Sequence, residues 1–214
     1  MSLLLTSRDC EILDHLSTAV RLFSLDQIAH AWWSDADDPR KLADERIRRL
    51  ARAGWVERYS VHVRPMPKIM APVACWRPGQ LAADFGQIAW QVQSRWKTGP
   101  RKCLVVVASG RTTKSRIGKP ARKIRQYFQL THDLGVAETF LRFRESRPAE
   151  ATLWKGEGSI SSLRRKRKVP DAIIAGDTIW PPRLVVEFAG AYARKRIEGF
   201  HRFCEMEQLA YELW

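Results

Sequence analysis

RKLADERIRRLARAGWVERYSVHV, residues 40–63, decides how the first part of the chain is read. Ala43, Ile47, Leu50 and Ala51 recur at the three- and four-residue spacing of a helix with one apolar face. That spacing puts Lys41, Glu45, Arg48 and Arg52 together on the opposite face, with Arg40 and Arg49 beside them. Gly54 stops the helix, because glycine accepts the left-handed backbone at which helices end. From Trp55 to Val63 the pattern turns to that of a strand, and a second short run, Ala71 to Trp76, predicts its hairpin partner. Prolines at 65, 67 and 72 predict a loose edge there.

Two further helices precede this one. The first runs from Ser7 to Ala19, with Ile12, Leu13, Leu16 and Val20 at helical spacing. The second starts at Ser24, where Ser24 and Gln27 have the spacing of a capping box, and reaches Trp33. The tract Ser34-Asp35-Ala36-Asp37-Asp38-Pro39 breaks it. Three helices followed by a hairpin predict a winged helix-turn-helix over residues 1–80. In that arrangement the third helix enters the major groove and the hairpin follows the backbone or minor groove. Arg40, Lys41, Arg48, Arg49 and Arg52 are the candidate contacts of the third helix, since Arg and Lys can pair with guanine O6 and N7 or with phosphates. Arg58, His62, Arg64 and Lys68 supply positive charge to the expected wing. An Arg-rich helix face is also common without a ligand, so topology and charge have to agree before it signals DNA.

The chain's composition points the same way. Its 37 Lys and Arg against 23 Asp and Glu give +14 over 214 residues, with an isoelectric point near 10.2. Such a surplus suits a polyanion, whose condensed counterions are released on binding. Double-stranded DNA is the expected partner. No apolar run approaches the roughly 20 residues of a membrane span, and Met1 to Leu5 is too short for a signal peptide before Arg8 and Asp9. Cys10, Cys75, Cys103 and Cys204 lack the paired spacing of a zinc site or disulfide framework, which predicts reduced thiols and a cytoplasmic protein. No cofactor is expected on this reading.

Residues 81–102 read as a linker with a helix from Phe85 to Trp96, and residues 103–214 as a second, α/β domain. Leu104 to Val107 predicts a strand. A basic tract follows from Arg111 to Arg125, then a helix over His132 to Arg144 and a short strand at Thr152 to Trp154. Arg164, Arg165, Lys166, Arg167 and Lys168 are consecutive cations suited to phosphates without sequence preference. Strands over Asp171 to Ala175 and Leu184 to Phe188 come next, and a long helix is expected from Ala193 to about Trp214. Antiparallel pairing of these two strands would bring Asp171 and Glu187 to one edge, where two carboxylates can hold Mg²⁺ and activate water.

Val169-Pro170-Asp171 followed by Val185-Val186-Glu187 resembles the PD-(D/E)xK nuclease superfamily. That resemblance implies Asp171 and Glu187 as metal ligands, with Glu138 on the preceding helix completing the site. More narrowly, the chain resembles the replication-relaxation family of plasmids and integrative elements. The features that carry this are the winged-helix start, Arg49-Leu50-Ala51-Arg52-Ala53-Gly54-Trp55-Val56, the His132-Asp133-Leu134 helix start and the Pro170-Asp171 with Glu187 hairpin. The pattern is broken at Ala189, where a lysine would position the attacking water; Lys195 is the nearest replacement. The expected fold is α+β, a winged helix followed by a small nuclease-like sheet domain. The expected function is sequence-selective DNA binding, as a regulator or accessory factor of replication, transfer or transcription in a mobile element. Two alternatives stay open: a Mg²⁺-dependent endonuclease using Asp171, Glu187, Glu138 and Lys195, and a second domain that makes the chain a homodimer through its Trp-rich segment and last helix.

Overall fold

A computed structural model describes residues 3–115, 129–160 and 168–214. The fold is mixed α+β with two sheets. Contacts divide the chain into two discontinuous units, Met1–Val63 with Pro100–Ala137, and Arg64–Gly99 with Glu138–Trp214. The division therefore differs from the linear one into 1–80, 81–102 and 103–214.

Unit 1 begins with α1 (Ser7–Thr18), β1 (Phe23–Ser24), α2 (Leu25–Trp33) and α3 (Pro39–Arg52). Each helix starts at a side-chain cap, which satisfies N–H groups that have no partner within the helix. Thr6 and Asp9 form a capping box on α1. Ser24 and Gln27 form the expected one on α2, through reciprocal bonds of 3.0 and 2.9 Å. Asp38 caps α3 with Pro39 behind it, and Gly54 ends that helix at φ +76°. Ile12, Leu13, Ile28, Ala43, Ile47 and Leu50 are fully buried at the centre of the unit.

β2 (Val56–Val63) does not pair with residues 71–76. Its partner is β4 (Arg101–Ala108), antiparallel, from Val56 opposite Ala108 to Val63 opposite Arg101. β1 joins the other side of β4, giving the order β1-β4-β2. The physical reason is burial: Val105 and Val106 on β4 are wholly buried in this pairing, whereas Trp76 of the 71–76 run is buried in the core of the other unit. After β4 come α5 (Gly110–Ser115) and the start of α6 (Leu130–Ser146). Gln27 donates through its side chain to the Leu134 carbonyl at 3.0 Å, fixing α6 to α2.

In unit 2, β3 (Ala74–Trp76) pairs with β8 (Tyr211–Leu213), at one end of the sheet order β3-β8-β7-β6-β5. Residues 81–102 are not a free linker, because α4 (Phe85–Ser94) buries Ile88, Ala89 and Val92 in this unit's core. The second half of α6 is followed by α7 (Pro148–Thr152), β5 (Trp154–Gly156), α8 (Glu157–Ile160), β6 (Ala172–Ile174) and β7 (Leu184–Glu187). β5, β6 and β7 are antiparallel neighbours, with Ala172 opposite Val186. α9 (Arg194–Met206) then crosses back to β8, which lies parallel to β7. The last helix is thus shorter than expected: Gln208 turns at φ +52°, and the terminal residues become a strand because Tyr211, Leu213 and Trp214 bury against the sheet.

Candidate functional site

α3 exposes Lys41, Glu45, Arg48, Arg49 and Arg52, while Ala43, Ile47 and Leu50 face inward. Three of the expected cations are engaged in ways the sequence did not indicate. Arg40 lies 2.6 Å from Asp26, with both side chains exposed. Asp44 receives Arg48 from one helical turn on at 2.6 Å and Arg58 from β2 at 2.5 Å. Asp44 therefore ties the helix to the strand and fixes the direction of Arg48. Arg49 and Arg52 lie in the last turn, where positive charge also complements the helix dipole. Among the described residues Glu45 has no ion pair, although Lys41, Arg48 and Arg49 all stand within about one helical turn of it.

Behind this face, Asp9 is wholly buried and takes the Arg46 guanidinium and the Thr6 N–H, the latter at 2.7 Å. Burial pushes its carboxyl upward, but the Arg46 and Thr6 hydrogen bonds outweigh that and hold it below the usual carboxylate range. Arg111 lies over the Trp55 ring at 4.2 Å and donates to the Ala53 carbonyl at 2.7 Å, satisfying the end of α3.

Arg64 and Lys68 do not belong to the β2–β4 hairpin, since the chain passes into unit 2 after Val63. The hairpin's open end carries instead Arg101 and Lys102, both exposed and opposite Val63 and His62. The sequence did hold a signal for them: two cations stand immediately before the apolar run Cys103 to Ala108. Arg164, Arg165, Lys166 and Arg167, and the basic tract from Arg116 to Arg125, lie outside the described residues. Lys168 is exposed, its ammonium 4.7 Å from the centre of the Phe200 ring.

In unit 2, Asp171 and Glu187 do come together. The Asp171 N–H donates to Glu187 Oε2 at 3.4 Å, and the Phe188 N–H donates to Asp171 Oδ2 at 2.9 Å. Each carboxylate thus receives a backbone N–H from the other's strand. Glu187 is buried, and its Oε1 accepts from the Tyr192 hydroxyl at 3.0 Å. Arg196 donates in turn to the Tyr192 oxygen at 2.7 Å and lies over its ring at 3.7 Å. Burial, followed by the nearby Glu187 and Asp171 charges, pushes the Tyr192 hydroxyl well up, so it stays protonated and donates to Glu187. No protein-family model, curated protein or solved structure matches this chain.

The remaining members of the expected catalytic set are elsewhere engaged or offer no contact. Glu138 pairs with Arg142 at 3.3 Å. Lys195 is exposed on the first turn of α9, where its neighbour Arg196 is the cation linked to the acid pair through Tyr192. Ala189, at the expected lysine position, is wholly buried. Among the described residues no group of three or more His, Cys, Asp and Glu side chains is arranged to hold a metal ion. Glu187 Oε1, Glu187 Oε2 and Asp171 Oδ2 each accept a protein hydrogen bond, which ties the segments around β6 and β7 together and leaves further lone pairs on both carboxylates. Among the described residues, no helix is long and apolar enough to cross a membrane.

Proposed function

We propose that the chain binds double-stranded DNA with sequence selectivity through a winged helix in unit 1, and that it regulates or assists replication, transfer or transcription of a mobile element. The observation that carries the DNA-binding reading is the combination of three helices with the sheet β1-β4-β2, with a cationic side of the third helix exposed. In a winged helix the third helix reads the major groove and the last two strands form the wing. Lys41, Arg48, Arg49 and Arg52 meet base edges and phosphates, while Arg101 and Lys102 carry the wing's charge. The mobile-element role rests on the sequence resemblance alone.

Unit 2 has a helix, three antiparallel strands, a helix and a strand parallel to the third, which supports a nuclease-like frame. Its acids are clamped to backbone N–H groups and Ala189 stands where the lysine would be, so the frame serves without hydrolysis. The test is fluorescence anisotropy with labelled duplex across a salt series. Four to seven phosphate contacts give a slope of log K against log salt of roughly −4 to −6. Replacing Arg101 and Lys102 together by Ala should flatten it by about 2, at roughly 0.9 per lost contact. A slope near zero for the unmodified protein refutes the reading.

A further inference from the structure

We propose that α5 adds a seat for a DNA backbone phosphate, made by Arg111 and Lys114 beside Arg49 and Arg52 at the C-terminal end of α3. This seat, which presupposes that unit 1 binds DNA, lies outside the three helices and the wing. Residues 109–112 grip consecutive carbonyls where α3 ends. Ser109 donates through its hydroxyl to the Gly54 carbonyl at 2.6 Å and through its N–H to the Trp55 carbonyl at 3.1 Å. The Thr112 hydroxyl donates to the Trp55 carbonyl as well. Ser109 and Thr112 are buried, so this grip fixes the start of α5 to the end of α3. Arg111 stands between them in the sequence and is exposed. One of its N–H groups meets the Ala53 carbonyl at 2.7 Å, and its guanidinium lies over the Trp55 ring at 4.2 Å.

Those two contacts orient the guanidinium without exhausting it. An arginine has five N–H donors, and Ala53 takes one of them. Among the described residues no carboxylate pairs with Arg111, Lys114, Arg49 or Arg52. Ala53 directly follows Arg52 and lies one turn beyond Arg49, so Arg111 is held beside the last exposed cations of α3. Lys114 is exposed as well, three residues after Arg111 and thus on the same side of α5. A capping role accounts for the bond to Ala53, but not for this second exposed cation. A stacked guanidinium loses less freedom on meeting a phosphate than a mobile one, and its remaining donors suit phosphate oxygens. The position names the ligand. In helix-turn-helix readers the first residues of the reading helix meet base edges, while its far end can lie along the backbone. The partner at this end is therefore a phosphate and not a base.

Anisotropy of the full chain over a salt series, with a random-sequence duplex and with the best selected duplex, tests the seat. In Arg111→Gln the slope of log K against log salt should become shallower by about 0.9, with affinity at 0.1 M salt about eightfold lower on both duplexes. Lys114→Gln should do the same, and the two together should remove about 1.8 from the slope and roughly 60-fold from the affinity. Arg111→Lys keeps the charge and should keep the slope. A purely structural cap predicts otherwise: both Arg111 variants would lose selectivity for the best duplex while the slope stayed put. An unchanged slope in Arg111→Gln overturns the proposal, as does a loss confined to the selected duplex or an equal loss of slope in Arg111→Lys. Lys114 makes no bond to α3, so an unchanged slope in Lys114→Gln counts against the seat even where Arg111→Gln fails to fold. A near-zero slope for the unmodified protein overturns the reading of unit 1 and the seat with it. A steep slope that both glutamine variants leave intact overturns the seat alone.

Discussion

Asp44 holds two arginines at once, and removing it separates the two tasks an arginine can perform on DNA. In Asp44→Ala, Arg48 loses the partner 2.6 Å away that fixes its direction, and Arg58 loses the one at 2.5 Å that draws it toward α3. Two guanidinium groups become available to phosphates and the net charge rises by one. By counterion release, each added phosphate contact steepens the salt slope by about 0.9 and gains about eightfold in affinity at 0.1 M salt. Binding to duplex of random sequence should therefore strengthen, by about eightfold for one contact and by up to roughly 60-fold for two. Selectivity should move the other way. A misdirected Arg48 gives up a base contact worth about 1–3 kcal/mol of discrimination. The fold should lose only about 1 kcal/mol, since both pairs are partly exposed. The assay is anisotropy with a random-sequence duplex and with the best site selected from a duplex library, over a salt series. Unchanged or weaker random binding together with unchanged selectivity would refute Asp44 as the organiser of the reading face.

Asp9→Asn should destabilise unit 1 by about 3 kcal/mol at pH 7, because it leaves the Arg46 charge without its buried partner. The Asp9 carboxyl is held below its ordinary value. Its stabilising contribution is therefore complete above that ordinary value, near 4, and disappears as pH falls through the lower folded value. Urea unfolding at pH 7 and pH 3 should show the gap between the two proteins narrowing in acid; a gap that stays constant or widens contradicts this direction. In unit 2, supercoiled plasmid should remain uncut with Mg²⁺ or Mn²⁺, and Asp171→Ala should cost about 1–3 kcal/mol by leaving the Phe188 N–H without its acceptor. Metal-dependent cutting abolished by both Asp171→Ala and Glu187→Ala, or an Asp171→Ala protein more stable than the parent, would show a metal site in place of a clamp.

What the sequence disclosed was governed by distance along the chain. The capping box at Ser24 and Gln27, the stop at Gly54 and the convergence of Asp171 with Glu187 are local features, and each was legible. β2 was given the wrong partner because Ala71 to Trp76 is the nearer strand-like run, while β4 lies beyond an excursion into the other unit. β8 escaped notice for a related reason. Tyr211 to Leu213 is three residues long, comes soon after a helix and pairs with strands that lie earlier in the chain. Among the site residues, cationic character was legible on α3, but no sequence pattern announced that Asp44 would gather Arg48 and Arg58. The Tyr192–Arg196 link to Glu187 was likewise hidden, since its partners mean something only once α9 has turned back toward β7.

The excursion between β2 and β4 also changes what counts as a domain. Closing a hairpin across residues 64–100 costs roughly 2–3 kcal/mol more than closing it across two residues. That cost falls on unit 1, whose sheet needs β4 in its centre. It is reduced when α4 and β3 are folded, because the excursion is then no longer a free chain. β3 pairs with β8, at the far end of the sequence, and α4 contributes Ile88 and Val92 to the core that holds α9. The chain between β2 and β4 thus runs through a segment whose own partners lie in the last residues of the chain. A fragment ending at residue 80 would keep α3 and β2 but lose the strand that joins β2 to β1. Its cationic face would then stand on a helix without a sheet behind it.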